Sequence, residues 1–217
     1  MGRTFFSLLT ILIALSAAAQ PSLPEVDSRK EALKALEDDD ALQRAAGVLY
    51  IGRTGLAPDG PLLVKRLTDD NPVVRALAEQ NVWRVWSRSG DRETDQLLAA
   101  GVEEMELGFY NEAIHTFSNV IRRAPDFAEG WNKRATALFL AGDLRRSLAD
   151  CDEVMKRNPQ HFGALSGYGQ IYFRLEQYDR AIEYFRRALE VNPNLTGVET
   201  AIRGIEKLRR ERRGRAI

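Results

Sequence analysis

The sequence predicts an all-α chain built as a solenoid of helical hairpins. Three prolines, Pro125, Pro159 and Pro193, stand 34 residues apart (125 to 159, 159 to 193). The sixteen-residue phrases that end on them, YNEAIHTFSNVIRRAP, LRRSLADCDEVMKRNP and YDRAIEYFRRALEVNP, share one pattern. Ala113, Ser147 and Ala181 hold its small position, and Phe117, Cys151 and Phe185 its large one, while Val120, Val154 and Ala188 come three residues further on. After the last proline, Leu195, Val198, Ile202, Ile205 and Leu208 recur every three or four residues, the period of a helix with one apolar face.

The 217 residues are 44% hydrophobic and 29% charged, the balance of a folded protein with ample core. With 31 Lys+Arg against 31 Asp+Glu, no global charge points to nucleic acid or a membrane surface, and no nucleic-acid partner is expected. Residues 1–19 read as a cleaved signal sequence: MGR, the apolar run FFSLLTILIAL, then Ala17 and Ala19 in A-x-A positions. Phe5 to Ala19 is shorter than the ~20 residues a spanning helix needs, so no transmembrane span should remain after cleavage. No cysteine adjoins the cut, which argues against an acylated lipoprotein, and Cys151 alone cannot form an internal disulfide. These features predict export, to a bacterial periplasm first and to the medium second, of a chain held by packing alone.

Residues 20–27 form a proline-containing linker, and Ser28 with Glu31 makes a capping box that starts the first helix. Between 28 and 92 a fainter echo steps by 31: Asp38/Asp69, Asp39/Asp70, Arg44/Arg75 and Ala45/Ala76 coincide. Such D-rich turns are similar to those of short HEAT-like repeats, and the resemblance makes the Asp and Asn residues helix caps, with Pro72 opening a helix after Asn71. A metal site on Asp38, Asp39 and Asp40 is the alternative, and caps explain the pattern better. In the helix over about 72–88, apolar residues including Val82, Trp83, Val85 and Trp86 leave little polar surface, placing it at the junction of two modules.

The 34-residue step with a small residue, an aromatic and a terminal proline at fixed places resembles the tetratricopeptide repeat. Leu97, Trp131 and Leu165 match that family's opening large position, Gly101, Ala135 and Gly169 its close-contact position, and Tyr172 its later aromatic, from which Glu104 and Leu138 depart. Three units follow, 94–127, 128–161 and 162–195. The resemblance implies a right-handed solenoid, with Trp131 buried, in which 196–217 supplies a capping helix and a basic tail.

No catalytic constellation is expected. His115 falls on the outer side of a second helix and His161 in a turn, Cys151 takes a packing slot, and GALSGYG at 163–169 has the wrong order for a nucleophile elbow. No metal or cofactor is expected either. In this family the first helices of successive units line a concave groove that holds a peptide or a partner's helix. The resemblance assigns Asn132, Thr136, Phe139, Gln170, Phe173 and Arg174 to that groove, beside Glu129, Leu140 and Ser166, with Leu98, Val102, Met105 and Glu106 from the first unit. Leu98, Val102, Gly163 and Gly167 stand where the clamp for acidic chaperone C-termini needs polar and basic groups, which disfavours that ligand. The functional expectation is an exported adaptor or scaffold that binds an unidentified protein or peptide without catalysis. The alternative is an accessory subunit of a cell-envelope enzyme, or an anionic-surface binder, acting through Lys207, Arg209, Arg210, Arg212, Arg213 and Arg215.

Overall fold

Many of the helix starts are set by side chains that replace the missing intrahelical acceptors. The structure, a computed structural model, describes residues 23–215, with side chains through Arg212; the expected signal sequence lies outside the described residues. Ser28 and Glu31 form the predicted capping box at α1 (Arg29–Ala35). Asp40 accepts from the Leu42 amide at the start of α2 (Ala41–Thr54), and α3 (Gly60–Val64) follows between two 3-10 turns. Asn71 accepts from the Val73 and Val74 amides at α4 (Pro72–Trp86), where Pro72 needs no acceptor of its own. The acidic turns are therefore caps: Asp38 itself accepts from the Asp40 amide.

The 31-residue echo is a repeated geometry. Arg44 donates to the carbonyls of Asp38 and Asp39, and Arg75 donates in the same way to those of Asp69 and Asp70. Arg44 also grips the Asp69 carboxylate through two bonds of 2.8 Å, in a site where the side chains are 9% and 2% exposed.

Six further helices pair as hairpins: α5 (Arg92–Glu106) with α6 (Tyr110–Arg123), α7 (Ala128–Leu140) with α8 (Leu144–Arg157), and α9 (Phe162–Arg174) with α10 (Tyr178–Val191). α11 (Thr196–Arg215) packs on α10 and buries Ile202 and Ile205, as a cap must. No strand occurs among the described residues.

The small and large positions fit each other. A Cβ at Gly101 would stand 2.5 Å from the Phe117 ring, and one at Gly169 equally close to Phe185. In the middle hairpin the partners are Ala135 and Cys151, both buried in one cluster: the methyl occupies room that a ring fills elsewhere, and the thiol is what fits beside it. The turn inside each hairpin also repeats, with Gly108 at φ +83°, Gly142 at φ +88° and Glu176 at φ +58°. Glu176 holds this left-handed conformation with a side chain, and its carboxylate takes Arg212 of α11 at 2.8 Å.

The residues before 92 form a helical module with its own core. It meets the array at the turns joining α8 to α9 and α10 to α11. Phe162 is buried within the module's core, and Val191 and Leu195 pack against it. Asn192 Nδ2 donates to Glu79 Oε1 at 3.0 Å, and Asn194 Nδ2 to the Leu67 carbonyl at 2.8 Å. α4 occupies the junction, as its all-round apolar character predicts.

Candidate functional site

α7 and α9, the first helices of successive hairpins, pack side by side, and together with α11 they line adjoining concavities. Asn132, Thr136, Phe139 and Gln170 surround a hollow of about 100 Å³ whose other walls include Gly163 and Gly167. Next to it, Phe139, Gln170, Phe173 and Arg174 line a groove of about 620 Å³, closed on the far side by Ala201, Gly204 and Leu208 of α11. All six candidate residues thus fall along adjoining concavities.

Their exposure differs. Thr136, Gln170, Phe173 and Arg174 face solvent and Phe139 is half-buried. Asn132 is 7% exposed and donates to Glu129 Oε2 at 3.2 Å, so its amide is committed to the protein. Arg174 is exposed yet occupied: its guanidinium donates to the Phe139 carbonyl at 2.8 Å and lies over the Phe139 ring. It stitches α9 to α7, and the groove's character is set by the phenyl rings.

Other expectations change. Glu129 and Leu98 are buried, at 1% and 4% exposure, and belong to the packing of the array. Trp131 is only half-buried, because Arg134 and Arg157 stack on its ring and its Nε1 donates to the Pro125 carbonyl at 2.9 Å; it ties a turn to a helix rather than filling the core. The α11 wall of the groove was missed. Its signal was the period itself, since Gly204 lies 34 residues after Gln170 and Leu208 34 after Arg174.

His161, expected in a turn, is fully buried. It caps α9, its Nδ1 accepting from the Ala164 amide at 3.1 Å, so its Nε2 carries the hydrogen and donates to Glu129 Oε2 at 2.9 Å. Burial pushes the Glu129 carboxyl up, but the His161 hydrogen bond and the Lys133 charge outweigh it and hold the group below the ordinary glutamate range. The His161 ring stacks on Trp86 at 4.3 Å. Beside them a cavity of about 820 Å³ lies between the module and the array, walled by Pro58, Pro61, Trp86, Pro125, Phe127 and Pro159 among others.

The remaining chemistry is quiet. Cys151 is buried, and burial first, then Asp150 and Asp152, pushes its thiol up to about 12, so no thiolate forms at neutral pH. His115 is exposed on α6. Arg209 and Arg212 pair with Asp179 and Glu176 of the last hairpin, which folds part of the basic tail onto the protein. No described helix is long and apolar enough to cross a membrane.

Residues 98–154 and 164–195 match family models of the tetratricopeptide repeat. The chain carries tetratricopeptide repeats over these residues. A TPR repeat-containing protein of Rhizobium etli is 32% identical over 108 residues, covering 50% of this chain and 53% of that one. The Hsp70-Hsp90 organizing protein 2 of Arabidopsis thaliana is 25% identical over 154 residues, 69% of this chain and 26% of the relative. This tetratricopeptide-repeat chain therefore spans about half, or about a quarter, of the curated relatives it matches. Among solved structures, the first TPR of Spaghetti (RPAP3), bound to the HSP90 peptide SRMEEVD, superposes with a TM-score of 0.51 at 24% identity, over 53% of this chain and 91% of that one. The Sgt2 TPR domain from Aspergillus fumigatus gives 0.50 at 25% identity, over 55% and 83%. Both share the hairpin array described above.

Proposed function

We propose that the chain is an exported, non-catalytic adaptor that takes an apolar segment of a partner protein in its concave groove. The observation that carries this is the groove's composition: Phe139, Phe173, Ile205 and Leu208 converge around about 620 Å³, and Arg174, the one cation lining it among the described residues, is already bonded to a carbonyl. A cleft of this size with apolar walls and few polar groups suits a short hydrophobic stretch. That the RPAP3 domain was solved with a peptide is consistent with such a use of the fold, while Leu98 and Val102 leave this chain without the polar groups an acidic terminus needs. Export rests on the leader, and N-terminal sequencing of the mature protein should begin at Gln20.

The test is a peptide array probed with the mature chain and with Gly204→Trp. A Cβ at Gly204 meets no atom within 4 Å, so the substitution does not strain the backbone, and an indole there takes up space in the groove that Gly204 lines. Binding to apolar peptides should be lost with helicity unchanged. Equal binding by Gly204→Trp and by Phe173→Asp would end the groove assignment. Capture that survives both changes but disappears on removing residues 209–217 would favour the tail instead.

A further inference from the structure

We propose that the N-terminal module is a brace coupled to the concave surface: its docking sets the position of the floor of the small hollow that adjoins the groove through Phe139 and Gln170, and the state of that floor in turn sets how firmly the module docks. The use of this coupling rests on the groove being the binding site; the coupling itself does not.

Two short routes join α4 to the floor. In the first, a Cβ at Gly163 would stand 2.5 Å from Trp83 Cη2, so the indole edge occupies the space a side chain would need there. Gly163 is itself a wall of the small hollow, between Asn132 and Gln170. The floor is thus backed by a module side chain in direct contact. In the second route, Trp86 stacks on His161, His161 donates to Glu129 Oε2, and Asn132 donates to the same oxygen from the groove side. His161, Glu129 and Asn132 are 0%, 1% and 7% exposed, so losing one partner leaves a buried polar group that must be satisfied by rearrangement.

The element with two states is the module, docked or released. Beside the tryptophan contacts, it is tied to the array by the Asn192–Glu79 and Asn194–Leu67 bonds, by Phe162 in its core with Val191 and Leu195 packed against it, and at the chain connection by the Ser89–Asp95 bonds and the Asp91–Arg123 pair. Close-packed contacts of this kind switch rather than stretch. Linkage requires the effect to run both ways, so loosening Glu129 must also loosen α4.

Hydrogen exchange on the ligand-free full chain tests this. Trp83→Ala should speed exchange of amides 132–136 in α7 and 164–170 in α9 by about tenfold, within the usual range of coupling between sites, while α5 and α6 change less than about twofold. Glu129→Gln should speed exchange in α4 by a similar factor. If α4 loosens and α7 and α9 do not, the module is only a docked neighbour and the brace is wrong. An equal change in α5 and α6 would mean general softening and would also overturn it. Should Trp83→Ala fail to fold, Glu79→Ala combined with Asn194→Ala cuts the polar ties at the α10–α11 turn without touching the core and is judged by the same criteria. No peptide is present in these measurements, so their failure leaves groove binding to be decided by the array experiment.

Discussion

The array and the module are both built by repetition, yet one repeats strictly and the other faintly. In the array, each hairpin buries the same face against a copy of itself, so the same small, large and turn positions are needed every 34 residues. In the module, α2 and α4 share the acidic turn and its arginine but little beyond. They part most where α4 leaves its repeat partner to grip the array: Trp83 and Trp86 stand 31 residues after Gly52 and Gly55. A repeat therefore blurs where one copy acquires a second neighbour, and the residues that break the pattern mark the docking face.

The two arginines test this most severely. Arg44 has a following turn to grip and closes a buried pair with Asp69, whereas Arg75 has only the carbonyls of its own turn. Arg44→Met should cost about 3 kcal/mol in urea unfolding, the lower end for a broken buried pair, because Asp69 is left buried with only Arg66, at 3.6 Å, as a cation. Arg75→Met should cost about 1 kcal/mol, the net value of neutral-acceptor hydrogen bonds at a half-buried site. Equal losses would show that the turn bonds, and not the buried pair, hold the module together.

Within the array, the middle hairpin is the place to sharpen the comparison. Cys151→Phe restores the ring found at 117 and 185 but meets the Ala135 methyl, and such overpacking costs typically 1–3 kcal/mol. Adding Ala135→Gly should recover most of the loss, since it recreates the fit of Gly101 with Phe117. If thermal melts of the double variant show additive losses, the two positions do not share one space.

Much of the array was legible because its signals are local or periodic. The prolines give the step, Gly101 and Gly169 the close contacts, and Ser28, Asp40 and Asn71 the caps. The groove was legible only in part. Repeat position says which face a residue occupies, but not that Arg174 would turn back to the Phe139 carbonyl or that Asn132 would be committed to Glu129. Those bonds depend on the exact approach of neighbouring helices. The Glu129–His161 pair was illegible for a further reason: its partners lie 32 residues apart in sequence, and the burial that makes the pair matter comes from Trp86 in another module.

The smallest expected effect lies at Asp91, the cap where the array begins. Its carboxylate accepts from the Thr94 amide at 3.2 Å, the Thr94 hydroxyl at 2.6 Å and Arg123 Nε at 3.0 Å. The Thr94 hydroxyl foremost, then Arg123, lowers its pKa from 3.8 to about 2. A carboxyl depressed on folding stabilises the native state above its unfolded value, and that contribution fades as pH falls from about 4 through about 2. Asp91→Asn keeps an oxygen acceptor for the amide but loses the charge toward Arg123. The variant should therefore melt slightly below the parent at neutral pH, by an amount that is constant down to about pH 5 and vanishes near pH 2. Added salt at pH 7 should shrink the same difference, since the site is open to solvent. A gap that persists unchanged at pH 2 would mean that the amide fails as a cap for reasons of geometry. The junction would then be held by the shape of the Ser89–Thr94 turn and not by its charge.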